Sequence, residues 1–365
     1  MIALLDLDAF FCACEEGRRA ELRGVPFCVG GDPGGRGVVA TANYAARAFG
    51  IGSAMPSAEA RRRCPDLIFL RPDIAHYREV SRAVWSALGA VSPAIEQTGI
   101  DEGYLAVASE DPAAGAVLLQ ETVRESAGVT CSVGVSTIKV AAKIAADMRK
   151  PAGVTVVAAG DEAAFLAPLP VTRLPGVGPK TAERLSARGI TTIGHLAGLT
   201  DDDLLEMGAG STAVELRDRA RGIDPRPIRT EPVEPVQISR ESTYATDIRR
   251  YSDLHRAVDD LAAQVAERLL ARGRAGRTVT VKLRYSRGFR TVTRSHTLGA
   301  ATQDGALIAR VAWGLAHAAL REEPGHLRLV GVGVAGLAGQ WQLMLPATDD
   351  PDEAGPAGGG DTRLP

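Results

Sequence analysis

The sequence predicts an α+β protein built of four units and a short tail. Its 365 residues exceed the length of one ordinary domain, and 45% hydrophobic with 24% charged residues is typical of a globular chain. Strand and helix patterns alternate in the first 165 residues, and helices interrupted by glycine follow at 166–228. The order strand, helix, two strands, helix, strand at 237–337 is the split βαβ, or ferredoxin-like, pattern.

The chain begins with a run of apolar residues. Residues 1–11 are predicted to form a buried strand, and 12–74, broken by glycine and proline, a small irregular insertion. The prolines of 229–236 indicate an extended linker, and the low-complexity end predicts a disordered tail at 346–365. Between these regions, apolar spacing predicts a helix at 77–88, two short strands around a turn at 94–108, a helix at 113–126, a strand at 129–135 and a helix at 137–148.

Composition argues against several classes of protein. No stretch approaches the roughly 20 apolar residues of a membrane span. The chain opens on Ile2-Ala3-Leu4-Leu5 without a basic leader, so we expect no secretory signal and a cytoplasmic location. The five cysteines are odd in number and form no CxxC pair. They are expected to be reduced thiols, without a disulfide framework or a zinc site.

Charge is unevenly distributed along the chain. The formal net charge of −2 argues against nucleic acid as a partner, yet 272–294 carries eight basic residues and no Asp or Glu. A polarised molecule can bind a polyanion with one face whatever its total charge. A merely solvated arginine face is the less favoured interpretation, because no acid is interspersed.

Acidic residues interrupt two otherwise apolar strands. Asp6 and Asp8 lie in the first, and Asp101 and Glu102 follow each other in the second. A carboxylate in such a strand is costly unless it is paired or bound to a metal, and Mg²⁺ prefers hard oxygen ligands. Neighbouring strand residues face opposite ways, so both acids of the second strand can reach one ion only at a strand end or turn. Pairing with arginine explains any one acid better, whereas three together favour a metal site.

These acids belong to longer motifs. Asp6-Leu7-Asp8-Ala9-Phe10-Phe11 and Ile100-Asp101-Glu102 resemble the Y family of DNA polymerases, in particular its DinB branch. The resemblance continues through short motifs over about residues 1 to 345, including Thr41-Ala42-Asn43-Tyr44-Ala45-Ala46-Arg47 and Pro175-Gly176-Val177-Gly178.

The resemblance implies a right-hand polymerase fold. Its ferredoxin-like palm would comprise residues 1–11 and 75–165, and small fingers 12–74. A helical thumb with a helix-hairpin-helix would occupy 166–232, and a βαββαβ little finger 236–345. The implied activity is low-fidelity, template-directed translesion synthesis without proofreading, in DNA damage tolerance and repair. The primer 3′-hydroxyl would attack the α-phosphate of a dNTP.

The resemblance also assigns roles in the reaction. Asp6, Asp101 and Glu102 would be catalytic and hold two Mg²⁺ ions, with the Leu7 carbonyl assisting. Asp8 would support them. Thr41, Tyr44 and Arg47, three residues apart as on one helix edge, would bind the dNTP triphosphate with Lys150.

Further residues would support the nucleotide. Tyr77 and Lys143 would lie near the triphosphate. Lys139 would either lie there too or occupy a solvated position on its helix, and the two alternatives are equal. Phe10 suits the core. The family pattern puts Phe11 beneath the sugar, where its ring would exclude a ribose 2′-hydroxyl.

Two regions are expected to hold primer-template DNA. Gly176, Gly178 and Lys180 form a glycine turn before a helix, which suits a backbone phosphate. The basic strip, residues 272–294, would follow the DNA backbone through Arg284, Arg287 and Arg290.

A sliding-clamp peptide is expected near the end of the chain. Gln342, Leu343 and Leu345 combine a glutamine with spaced apolar anchors, which is a low-information motif. The protein is otherwise expected to be a monomer.

Two rival functions remain open. A non-catalytic DNA-bound adaptor of the same superfamily is disfavoured by the intact acids. A nucleotide cyclase with a similar palm is disfavoured by the glycine turn and by the basic strip.

Overall fold

The computed structural model describes residues 1–206 and 211–339. The chain divides into two compact units, the first ending at Pro232 and the second beginning at Val233. In the described part, no helix is long and apolar enough to cross a membrane.

The first unit contains a mixed sheet, a smaller sheet and a set of short helices. Its elements, in chain order, are β1 (Ile2–Leu7), α1 (Phe10–Arg18), β2 (Phe27–Gly30), β3 (Val39–Ala42), α2 (Tyr44–Arg47), α3 (Ser57–Arg63), β4 (Ile68–Leu70), α4 (Ile74–Leu88), β5 (Ile95–Gln97), β6 (Glu102–Ala106), α5 (Pro112–Ala127), β7 (Cys131–Ser136), α6 (Lys139–Ala146), β8 (Val154–Val156), α7 (Glu162–Leu166), α8 (Pro179–Ser186), α9 (Ile193–Ala197), α10 (Asp201–Glu206) and α11 (Ser211–Ala220).

The main sheet has the strand order β5-β6-β1-β7-β8, with β1 antiparallel to both neighbours. Helices α4 and α5 bury Val84, Leu119 and Val123 against one face of this sheet. Helix α6 lies on the other face, where Gly134 permits an unusually close approach. A β-carbon at Gly134 would lie 2.1 Å from the Ala142 carbonyl oxygen, so any side chain there would displace α6.

The first strand is shorter than the sequence predicts. It ends at Leu7, and Phe10 and Phe11 begin helix α1 instead of continuing the strand to residue 11. The Asp8 amide donates to the Thr130 carbonyl at 2.9 Å, and Ala9 turns the chain with a φ of 44°. A short apolar run does not distinguish strand from helix, which explains the wrong boundary.

The segment 12–74 contains its own small sheet, with the order β3-β2-β4. Thr41 lies on β3, and α2 begins only at Tyr44, so the prediction of one helix edge for Thr41, Tyr44 and Arg47 is wrong. The Asn43 side chain caps α2 by accepting a hydrogen bond from the Ala46 amide, and this cap fixes where the helix starts.

The second unit has the predicted ferredoxin-like order. Its elements are β9 (Gln237–Ile248), α12 (Tyr251–Ala271), β10 (Arg274–Tyr285), β11 (Thr291–Thr302), α13 (Gly305–Glu322) and β12 (Leu327–Gly339), with the strand order β11-β10-β12-β9. Both helices pack on one face of this sheet, over Val279, Val281 and Leu283. The alternate residues of β10 therefore lie on the opposite face.

Candidate active site

Strands β1 and β6 bring three acids to one end of the main sheet. Asp6 lies opposite Glu102 in the strand register, and the Leu7 amide donates to the Asp101 carbonyl at 2.8 Å. Asp101 precedes the first residue of β6 and so lies in a turn. The expectation that this acid pair occupies a strand end is confirmed.

Burial dominates the electrostatics of these acids. It raises the pKa of Asp6 and of Asp101 above the ordinary value of 3.8, and a neighbouring carboxylate adds to each shift. Two lysines partly offset this effect: Lys150 Nζ lies 2.8 Å from an Asp6 carboxylate oxygen, and Lys143 Nζ lies 2.5 Å from Glu102. Crowded, partly desolvated carboxylates are stabilised by positive charge at this position.

The donor set is suitable for a hard divalent cation. Carboxylate oxygens from two adjacent strand ends are the ligands that such ions prefer. Among the described residues, no three acidic, histidine or cysteine side chains already converge on one ligand point. The lysine ammonium groups instead provide the positive charge beside Asp6 and Glu102.

Asp8 has a different environment. Its carboxylate is 3% exposed and accepts hydrogen bonds from the Ser132 hydroxyl at 2.7 Å and the Ala152 amide at 2.8 Å. The Tyr44 hydroxyl lies 3.5 Å away. These donors hold Asp8 between β7 and the segment after Lys150.

A cleft of about 310 Å³ opens beside Asp8, between α1, α2 and Pro151, and Tyr44 lines it. The Arg47 guanidinium lies 4.6 Å from the centre of the Tyr44 ring and donates to the Ala42 carbonyl. Burial raises the pKa of the Tyr44 phenol to about 12, so it remains a hydrogen-bond donor at neutral pH. Tyr44 and Arg47 thus lie together although Thr41 belongs to a strand.

The two phenylalanines have distinct surroundings. Phe10 is 2% exposed and belongs to the core. Phe11 is partly exposed and stacks on Tyr77, with 4.5 Å between ring centres and 18° between ring planes. Tyr77 is fully buried and donates a 2.7 Å hydrogen bond to Glu15. Sequence reasoning did not predict this role of Glu15, although its spacing of four from Phe11 places both on one face of α1.

Helix α6, which carries Lys143, is held at its N-terminus by residues that sequence reasoning missed. The Asp224 carboxylate accepts from the Val140 amide at 3.0 Å and pairs with Arg226. Lys139 is 3% exposed and pairs with Glu96, which excludes the solvated alternative for this lysine. Glu96 also accepts from the Arg229 amide.

The glycine turn precedes helix α8, as the sequence predicts. Gly176 has a φ of 103°, which only glycine adopts readily, and Gly178 is the residue before the first helical turn. Lys180 is exposed on that turn.

The basic strip of the second unit is less uniform than its sequence. Lys282 and Arg284 lie on the sheet face opposite the helices, and Arg287 is exposed in the loop between β10 and β11. Arg290 and Arg294 pair with acids at the end of α13, Glu323 at 2.9 Å and Glu322 at 2.6 Å. The strip contains no acid in sequence, but tertiary structure supplies acids from other elements.

The predicted clamp residues Gln342, Leu343 and Leu345 and the predicted tail lie outside the described residues.

Comparisons with known proteins agree with this fold. Residues 5–147 match the model of the impB/mucB/samB family, 235–345 its C-terminal domain and 159–190 the IMS family HHH motif. A DNA polymerase IV of Methanoculleus marisnigri is 43% identical over 342 residues, which is 92% of this chain and 94% of the relative. One of Halorhodospira halophila is 41% identical over 91% of this chain and 94% of the relative.

A solved Y-family DNA polymerase chimera shares the fold. It superposes with a TM-score of 0.82 at 24% identity, covering 93% of this chain and 100% of the chimera. Because relatives of more than 40% identity cover nine-tenths of the chain, and family models match both its ends and its glycine turn, this chain belongs to the Y family of DNA polymerases.

Proposed function

We propose that this Y-family member is a low-fidelity, translesion DNA-directed DNA polymerase whose reaction depends on Asp6, Asp101 and Glu102. The observation that carries this proposal is the meeting of these acids at one sheet end, within a chain that belongs to the family. The enzyme would extend a primer on a template with dNTPs, without proofreading, in DNA damage tolerance and repair.

The proposed cofactor is Mg²⁺, two ions per active site. When bound, it would lower the pKa of the attacking hydroxyl and neutralise charge on the phosphates. Asp6, Asp101, Glu102 and the Leu7 carbonyl would hold it. The raised pKa values of Asp6 and Asp101 support this, because carboxylates desolvated at cost in free energy gain from a cation. Lys143 and Lys150 would exchange their carboxylate partners for phosphate oxygens.

The dNTP triphosphate is proposed to bind Thr41, Tyr44, Arg47 and Lys150. The shared cleft of Tyr44 and Asp8, and the contact of Arg47 with the Tyr44 ring, support this placement. Phe11 is proposed to lie under the sugar, with Tyr77 behind it. Its partial exposure beside a fully buried Tyr77 is what a ring facing a ligand requires.

The DNA duplex is proposed to contact both units. Gly176, Gly178 and Lys180 would bind a backbone phosphate at the start of α8. Arg284 and Arg287, with Arg290, would bind further phosphates, and the hydroxyl-rich sheet face around Arg284 supports this. We assign the palm to 1–11 and 75–165, the fingers to 12–74, the thumb to 166–232 and the little finger to 236–345.

The polymerase is proposed to act as a monomer that a sliding clamp holds through Gln342, Leu343 and Leu345. Changing Gln342 and Leu343 to alanine should abolish stimulation by the clamp and leave unstimulated extension within about twofold. Deletion after Pro346 is the control and should leave both rates unchanged. Stimulation that survives the double change would contradict the assignment.

Primer extension tests the central proposal. A labelled primer on a longer template should be extended with Mg²⁺, with the templated nucleotide preferred over the other three, and chelation of the metal should stop the reaction. An adaptor would bind the same DNA without extending it, and a cyclase would consume a nucleotide without DNA. Either result would overturn the proposal.

A further inference from the structure

A polar network joins helices α1 and α4 behind the ring of Phe11. The Tyr77 hydroxyl on α4 donates to Glu15 Oε1 on α1 at 2.7 Å. Arg18, also on α1, donates to the same Glu15 oxygen at 2.9 Å and to Asp73 at 3.0 Å. Asp73 in turn caps α4 by accepting from the His76 amide. The network therefore fixes the position of α4, and of its Tyr77, relative to α1.

The Tyr77 side chain is held both through its hydroxyl and through the face of its ring. Its hydroxyl is bound by Glu15, and its face stacks on Phe11 at 4.5 Å. Burial and the Glu15 carboxylate raise the pKa of the Tyr77 phenol, so the hydroxyl keeps its proton and remains the donor. Because Tyr77 is 0% exposed, protein atoms surround its ring, and the bond to Glu15 fixes its hydroxyl.

Burial of the Glu15 carboxylate has a cost. The residue is 1% exposed, and its Oε2 is buried without a hydrogen-bond partner, with Arg19 Nε 3.8 Å away. A buried carboxylate oxygen without a hydrogen bond is unfavourable, and this cost opposes the gain from the ion pairs of Glu15 with Arg18 and Arg19. Besides these ion pairs, the carboxylate provides a short, directed hydrogen bond to Tyr77.

We propose that Glu15 is a positioning residue for sugar selection: through its bond to the Tyr77 hydroxyl it keeps the Tyr77 ring against Phe11, so that Phe11 cannot withdraw from a ribose 2′-hydroxyl. The inference rests on the proposed role of Phe11 under the sugar. It adds that the selectivity of this ring depends on a carboxylate four residues away that does not touch the nucleotide.

The test compares kcat/KM for insertion of a ribonucleotide and of the matching deoxynucleotide. Tyr77→Phe keeps the stacked ring and removes only the hydroxyl, and Glu15→Leu removes the acceptor. Each should raise the ratio of ribonucleotide to deoxynucleotide insertion by about tenfold, which corresponds to about 1.4 kcal/mol. The double variant should show no further increase, because both changes break the same bond.

Two further variants distinguish a positioning role of Glu15 from a general loss of stability. Glu15→Gln retains an oxygen that can accept from Tyr77 and should keep the ratio within about twofold of wild type. Ser92→Ala removes a buried hydroxyl elsewhere at this sheet, where the single Ser92 proton is shared between the Ala94 and Ala106 carbonyls. It should lower the unfolding midpoint and leave the ratio unchanged.

Phe11→Ala distinguishes the proposed role of Phe11 under the sugar from the proposed role of Glu15. It should raise the ratio by about a hundredfold, as expected when a steric clash is removed. If it does so while Tyr77→Phe leaves the ratio unchanged, the role of Glu15 is overturned and that of Phe11 stands. If Phe11→Ala itself has no effect, both proposals fail. Should Glu15→Leu not fold, Tyr77→Phe alone decides, since it preserves the packed ring.

Discussion

The acids at the end of β1 and β6 and the basic strip of the second unit are two charged regions of the molecule that differ in burial. Asp6 and Asp101 are desolvated enough for burial to dominate their pKa values. The cations of the strip are partly or fully exposed, and four of them pair with acids from other segments, namely Arg274, Lys282, Arg290 and Arg294.

Burial decides what each region can do. A charge in a partly desolvated site interacts strongly with its neighbours, so its chemistry depends on the position of single atoms. An exposed charge is screened by salt and contributes little to stability, but many together attract a polyanion. A single substitution at the acid site should therefore change activity strongly. Substitutions in the strip should each weaken DNA binding slightly, and their effects should add.

Asp101→Asn and Glu102→Gln should each have the largest effect, lowering primer extension by ~10³-fold or more, because each removes a charge that the reaction requires. Affinity for primer-template DNA, measured by fluorescence anisotropy, should remain within about threefold. Glu121→Gln, which neutralises an exposed acid on α5, is the matched control and should leave extension unchanged. An equal loss of DNA binding in the first two variants would show that these acids support the fold instead.

Asp224→Asn should reduce stability at pH 7 by about 1–3 kcal/mol, since it weakens the pair between a buried carboxylate and the partly exposed Arg226, and also a helix cap. Burial by itself raises the pKa of Asp224, but Arg226 and the Val140 amide outweigh it and hold the pKa below 3.8. The stabilisation is therefore present above pH 3.8 and is lost as the pH falls through the lowered pKa. The difference between variant and wild type in chemical denaturation should shrink in that acidic window.

Glu322→Gln is the counterpart of Asp224→Asn in the strip, because it breaks the exposed pair with Arg294. Its effect on the free energy of unfolding should be much smaller than that of Asp224→Asn, because solvent screens an exposed pair. A destabilisation as large as that of Asp224→Asn would contradict the distinction drawn between the two regions.

Changing Arg284 and Arg287 to alanine should weaken DNA binding equally on all sequences. The slope of log affinity against log salt should become shallower by about 0.9 for each phosphate that the variant no longer neutralises. Arg294→Ala is the control within the strip, since Arg294 already pairs with Glu322 on the helix side of the sheet. An unchanged slope in the double variant would remove the strip from the DNA path.

Several features were predictable because they depend on local pattern. The acids in apolar strands, the glycine turn before α8 and the strand-helix order of the second unit each follow from residues close in sequence. The strand boundary at Leu7 was not predictable, because the apolar residues 9–11 suit a helix as well as a strand. The helix predicted for Thr41 was likewise wrong, since the Asn43 cap decides where α2 begins.

By itself, the sequence determined the fold class, the family and the identity of the acids, since these depend on residue types in order along the chain. Only the tertiary structure decided which polar groups meet: Lys150 with Asp6, Asp224 with the N-terminus of α6, Glu15 with Tyr77. The bond from Tyr77 to Glu15 spans 62 positions of the chain, and the bond from Val140 to Asp224 spans 84. The packing of helices on the sheet selects the partners in these interactions. Local sequence patterns carry no information about which distant residues that packing brings together.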